Sequence, residues 1–140
     1  MRYSKAAEEL YDLGLQANRT VEYGLVGHTA KMETFILWYL SRNDNRAFPK
    51  DLSRSMAAST AHVSTVLRGL ERDGYITRET DPSDCRRVIV HLTQRGLEKN
   101  RQLKAARIEK IGAMLEVLTP EEVDTYIRLR KKLLSGAMKE

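Results

Sequence analysis

The 140-residue sequence predicts a mainly α-helical fold that carries one small β-hairpin. Three observations point there. Apolar residues recur at three- and four-residue spacings over most of the chain. At Gly74 that period gives way to two short β-prone runs separated by turn chemistry. Helix-start signals stand at Ser59, Thr93 and Thr119-Pro120, each just before a helical-period stretch.

The elements follow in order. Residues 4–26 carry Ala7, Leu10, Tyr11, Leu13, Val21 and Leu25 on an amphipathic helix that Gly27-His28 breaks. Thr29 is placed to cap a second helix, whose run Phe35-Ile36-Leu37-Trp38-Tyr39-Leu40 is too continuous for a surface helix and marks a core one. Ser41 to Asn45 reads as a loop. Pro49 opens a short helix over about 49–57, with Leu52 and Met56 inward. After the tight turn Ala57-Ala58-Ser59, Ser59 caps a helix over about 60–73 with Val63, Val66, Leu67 and Leu70 inward, and Gly74 stops it. Tyr75 to Arg78 and Val88 to Leu92 form the hairpin, with Asp81-Pro82-Ser83-Asp84 and Arg86-Arg87 at a charged tip. Thr93 caps a long helix to about Val117 with a sparse apolar stripe of Leu97, Leu103, Ile108, Ile111 and Leu115. Thr119-Pro120-Glu121-Glu122 opens the last helix with a cap, a first-turn proline and a capping-box glutamate.

Composition sets limits on partners. Hydrophobic residues at 41% and charged ones at 31% describe a chain that can bury a core and is not disordered. No apolar run approaches the ~20 residues a membrane helix needs, no signal segment opens the chain, and the single Cys85 can make no internal disulfide. A cytoplasmic protein without membrane attachment is therefore expected. The net charge of +5 permits a polyanion partner without demanding one. It is concentrated in the middle, with nine basic against six acidic residues from Arg46 to Arg95 and five against two from Gly96 to Lys110.

Two short helices joined by a three-residue turn and followed by a hairpin have the order of a winged helix-turn-helix. A B-DNA major groove about 12 Å wide admits one α-helix, so the second helix can bring its side chains to base edges. Its outward residues, Thr60, Ala61, His62, Ser64, Thr65 and Arg68, are small or hydrogen-bonding, and no acid appears before Glu71. An ordinary solvated helix face of that length would mix Glu with Lys. At the hairpin tip an arginine can enter a minor groove while Asp84 steadies it. Taken alone, Asp-Cys-Arg-Arg would read as a solvated turn; at this distance behind the helix, the DNA reading is preferred.

Residues 51–97 resemble the central block of the MarR family. The specific parts are Leu70-Glu71-Arg72-Asp73-Gly74-Tyr75-Ile76, Asp81-Pro82-Ser83-Asp84-Cys85-Arg86-Arg87 and Leu92-Thr93-Gln94-Arg95-Gly96, and Gly27-His28-Thr29 also matches. The resemblance implies a single MarR-like domain over 1–140, with a winged helix-turn-helix part at 28–95 and a helical dimerisation part at 1–27 and 96–140. It makes Arg86 the minor-groove arginine, Asp84 its orienting partner and residues 60–68 the recognition segment. Candidate DNA contacts are thus Ser59, Thr60, Ala61, His62, Ser64, Thr65, Arg68, Asp84, Arg86 and Arg87. The implied partners are a second copy of the chain and a pseudo-palindromic duplex with half-sites roughly 34–36 Å apart. The implied activity is transcriptional regulation, as a repressor released by a small aromatic or lipophilic effector. His28, Trp38 and Tyr39 are candidates for an effector pocket between the two parts, although core packing is the simpler reading of Trp38 and Tyr39. Ala58 departs from the family, whose members often place glycine in that turn.

Other readings are weaker. His28, His62 and His91 lack ligand spacing and no cysteine pair accompanies them, so no metal or other cofactor is expected. A lone wing cysteine such as Cys85 is more often incidental than a redox sensor. No phosphate-binding glycine loop, metalloprotease helix or nucleophile elbow is present, so no enzyme is expected. The alternative is a helical interaction protein whose basic middle binds another polyanion or an acidic protein partner.

Overall fold

The computed structural model describes residues 2–16 and 29–138, and these form two compact units, one of residues 27–102 and one of residues 1–26 with 103–140. The described elements are α1 (Ser4–Gln16), α2 (Thr29–Arg42), β1 (Arg46–Ala47), α3 (Pro49–Met56), α4 (Thr60–Arg72), β2 (Ile76–Asp81), β3 (Asp84–Leu92), α5 (Gln94–Leu115) and α6 (Pro120–Met138). The expected first helix is described only to Gln16; its continuation to residue 26, with Val21 and Leu25, and the Gly27-His28 break lie outside the described residues.

In the unit of residues 27–102, α2, α3 and α4 close over a small antiparallel sheet of order β1-β3-β2. The run Phe35-Ile36-Leu37 and Leu40 is buried, as its continuity requires. α4 buries Val63, Val66, Leu67 and Leu70, one stripe at i, i+3, i+4 and i+7. Each such aliphatic side chain contributes about 1.5–3 kcal/mol by leaving water, so this stripe fixes which face of α4 is left for solvent.

The turn from α3 to α4 is tightly specified. Ala57 adopts the left-handed conformation at φ 50°, and the Ser53 hydroxyl, itself buried, donates to the Ala58 carbonyl at 2.6 Å. The position that favours glycine is therefore Ala57, one residue before the Ala58 singled out from the sequence. Ser59 then caps α4, its hydroxyl accepting from the His62 N–H at 3.1 Å.

The sheet differs from expectation in two ways. Residues Arg46–Ala47 form a strand, pairing with His91 and Val90 of β3; two residues are too few to show a period. The hairpin is also longer than the β-prone runs, because β2 extends to Asp81 and β3 begins at Asp84. Arg86 and Arg87 accordingly lie in a strand rather than in a loop. A side-chain hydrogen bond supports the ladder through polar sequence: His91 Nε2 lies 2.8 Å from Glu79 Oε1, diagonally across the strands.

The root of the hairpin explains why Thr93 and Gly96 stand where they do. Thr93 donates its hydroxyl to the Gly74 carbonyl at 2.7 Å and accepts from the Gly96 N–H at 3.0 Å, which caps α5 and ties it to the end of α4. Gly74 has φ 82°, and a Cβ on Gly96 would lie 2.1 Å from the Tyr75 carbonyl oxygen, so neither position accepts a side chain without strain.

In the other unit, α1, α6 and residues 103–115 of α5 pack around Tyr3, Ala7, Leu10, Leu13, Leu115, Val123 and Ile127. The Tyr3 hydroxyl donates to the Leu118 carbonyl at 2.7 Å, and ion pairs Lys104–Glu8 and Lys131–Glu9 flank the bundle. The capping box is formed in both directions: the Thr119 N–H donates to Glu122 at 2.9 Å and the Glu122 N–H to the Thr119 hydroxyl at 3.2 Å. Met114, Val117, Tyr126, Leu129 and Leu133 stay exposed.

Candidate nucleic-acid interface

With its apolar stripe buried, α4 presents Thr60, Ala61, His62, Thr65 and Arg68 as exposed residues, with Ser64 half-buried beside them. The polar side chains on this face are already arranged. The Thr65 hydroxyl donates to the Ala61 carbonyl at 3.1 Å, and the Arg68 guanidinium donates to the Thr65 and Ser64 hydroxyls at 3.2 and 3.5 Å. Arg68 thus lies along the helix surface over two hydroxyls and keeps further donors, a geometry suited to phosphate oxygens or base edges.

The first acid on α4 is kept from spoiling that face. Glu71 accepts from Arg78 of β2 at 2.8 and 3.2 Å, and those hydrogen bonds hold its carboxyl below the usual glutamate range. Glu71 is ionised yet neutralised by a partner inside its own unit. What remains on the outward face is hydrogen-bonding and cationic.

At the hairpin tip the two arginines separate. Asp84 Oδ1 accepts from the Arg86 backbone N–H at 3.1 Å and from its Nε at 3.3 Å, while the Arg86 side chain is 92% exposed. Arg86 is therefore tethered at one nitrogen and otherwise projects into water. Arg87 turns back onto the fold: its Nη2 donates to Asp81 at 3.0 Å and its guanidinium covers the Phe48 ring at 4.4 Å. Successive residues of a strand point to opposite faces, which is why adjacent identical side chains have different surroundings. Asp81, a turn residue in the sequence reading, anchors the tip; it accepts from the Ser83 N–H at 2.9 Å and the Ser83 hydroxyl at 2.8 Å as well as from Arg87. The Ser83 N–H first, then the Ser83 hydroxyl and Arg87, hold the Asp81 carboxyl below its ordinary value.

Of the three candidate effector residues, the two that are described have different surroundings. Trp38 is buried against Phe35, ring centroids 5.6 Å apart, whereas Tyr39 lines a cleft of about 380 Å³ with Asn43, Arg46, Phe48, Arg87 and Ile89. His28 lies outside the described residues. Among those residues no group of three or more His, Cys, Asp or Glu side chains is placed to hold a metal ion, and no helix is long and apolar enough to cross a membrane.

Residues 32–108 match the model of the winged helix DNA-binding domain, more than half of the chain and all of the helix pair and hairpin just described. The chain belongs to the winged helix DNA-binding family and is an HTH-type transcriptional regulator. It is 25% identical over 122 residues to the HTH-type transcriptional repressor YetL of Bacillus subtilis, covering 86% of this chain and 73% of that one. It is similar to the Staphylococcus aureus MepR–DNA complex at 26% identity and TM-score 0.61, over 74% of this chain and 76% of that one. It shares its fold with MarR at TM-score 0.68 and 23% identity, over 76% of this chain and 72% of that one. The regulator is thus a DNA-binding protein, and the reading of its basic middle as a surface for some other polyanion or an acidic partner is not favoured.

Proposed function

We propose that this regulator binds a specific duplex operator as a homodimer, with α4 in the major groove and Arg86 in the adjacent minor groove, and that it acts as a repressor by occupying promoter DNA. It works by binding rather than by catalysis, in the cytoplasm. The observation that carries the reading is the pairing of an acid-free, hydrogen-bonding α4 face with a 92% exposed, carboxylate-tethered Arg86 on the following hairpin. The DNA-contacting set is Ser59, Thr60, Ala61, His62, Ser64, Thr65 and Arg68 on and before α4, with Asp84 and Arg86 on the wing. Dimerisation is supported by the apolar side chains that α5 and α6 leave in water.

Selection of bound sequences from a random duplex pool tests this directly. The expected product is a pseudo-palindrome with half-sites about 10–10.5 base pairs apart, centre to centre. Repeating the selection with Thr65→Ala or His62→Ala should relax the preference at one position per half-site by ~1–3 kcal/mol. Binding without sequence preference would reject the operator reading.

Release by a small aromatic or lipophilic effector is supported by the cleft beside Tyr39, where Phe48 and Ile89 supply apolar surface among the polar side chains of Asn43, Arg46, Asp51, Asp81, Ser83 and Arg87. Such a ligand acts only if it binds the DNA-competent and incompetent conformations unequally. A compound that binds without changing operator affinity is not the effector.

A further inference from the structure

Arg87 resembles Arg86 in sequence but not in what it touches. Its side chain is 52% exposed, and it reaches three groups at once. Nη2 donates to Asp81 Oδ2 at 3.0 Å, Nε lies 3.7 Å from Asp84 Oδ2, and the guanidinium stacks 4.4 Å from the centre of the Phe48 ring. Asp81 and Asp84 face each other across the two-residue turn Pro82-Ser83, so Arg87 closes that turn from both sides. The Asp81 side chain is only 6% exposed, which makes it the inner anchor. Phe48 is the residue before Pro49, and its carbonyl accepts from the Asp51 N–H at 3.0 Å, so the ring rides on the first turn of α3. Asp84 belongs to both arginines: Oδ1 holds Arg86 while Oδ2 faces Arg87.

We propose that Arg87 is a positioning residue for DNA binding: it clamps the hairpin tip onto the β1–α3 junction, so that Arg86 meets the duplex from a fixed base. The role rests on the reading of Arg86 as a DNA contact. A two-stranded hairpin is marginal by itself in water, and its tip holds one geometry only where something fixes it. Here the fixing chain runs from Phe48 through Arg87 to Asp81 and Asp84, and from Asp84 to Arg86. Arg87 directs its guanidinium to protein partners and gives up no phosphate contact when removed. It therefore differs from Arg86 in salt dependence as well as in strength.

The test compares operator affinity against salt for the full-length protein and for Arg87→Ala, Arg86→Ala and the double variant, with amide hydrogen exchange on the free proteins. Arg87→Ala should weaken binding roughly 3- to 10-fold, the scale of one ion pair plus one cation–π contact. The slope of log affinity on log salt should stay at the wild-type value, and the loss should vanish in the Arg86→Ala background. Phe48→Leu should act in the same direction but less. In the free protein, exchange at the Ser83 and Arg86 amides, both bonded to these carboxylates, should speed up in Arg87→Ala while the amides of α4 keep their rates. A slope reduced by about 0.9 would make Arg87 a DNA contact instead. Equal losses in both backgrounds, or unchanged exchange at the tip, would overturn the clamp while Arg86 stands. An Arg86→Ala protein with full affinity and slope would remove the DNA contact itself, and the positioning role with it.

Discussion

Helices α4 and α6 are both amphipathic, but only α4 has all its large apolar residues covered. Val63, Val66, Leu67 and Leu70 are at most 3% exposed, whereas on α6 Tyr126, Leu129 and Leu133 are 42–71% exposed, and Val117 just before it is 86% exposed. The winged-helix unit is finished within one chain and turns its polar face outward for use. The helical unit closes a core on one side and leaves an apolar surface on the other, as half of a larger core does. The same hydrophobic pattern therefore marks interior in one region and, in the other, an exposed surface that we propose is intermolecular.

The largest expected effect attacks the unfinished side. Replacing Val117 and Leu133 together by Asp places charge on the proposed contact surface and should weaken self-association by roughly a hundredfold or more. Sedimentation should give a monomer for this variant and a dimer for the wild type at the same concentration. The thermal midpoint should rise with concentration for the wild type by mass action and be independent of it for the variant. A variant that still sediments as a dimer would place the contact elsewhere.

Next in size is a change inside the finished unit. Gly96→Ala drives a methyl group against the Tyr75 carbonyl and Leu92 at the hairpin root, and should cost about 1–3 kcal/mol by overpacking. Denaturant unfolding should show the loss at every protein concentration. An unchanged midpoint would mean that α5 shifts freely against the hairpin.

The smallest expected effect has the opposite sign. Ala57 sits at φ 50°, where a side chain is strained. Ala57→Gly should stabilise the winged-helix unit by about 0.5–1 kcal/mol, the relief of that strain exceeding the entropy cost of glycine. The gain should appear in unfolding midpoints and leave self-association unaltered.

Much of this architecture is legible in the sequence, and some of it is not. Helix positions, the hairpin and the outward face of α4 follow from period and from the lack of acids before Glu71, because burial and charge avoidance act on residue type. Three features do not follow. β1 is too short to carry a pattern, and the left-handed turn falls on an alanine that advertises nothing. Arg86 and Arg87 are identical in the sequence and diverge only through strand alternation and the long-range positions of Asp81 and Phe48. The expected DNA set included both arginines, whereas the geometry supports Arg86 as the reaching side chain and Arg87 as its support. The Asp81 anchor carried one signal, its place two residues before Ser83, but that spacing suggests only a turn.

In the proposed complex α4 and Arg86 meet duplex DNA together. Its most direct test is the salt dependence of operator binding for wild type and Arg86→Ala. Arg86→Ala should bind more weakly, with a slope shallower by about 0.9 for each arginine lost from the duplex. Unchanged affinity with an unchanged slope would contradict it.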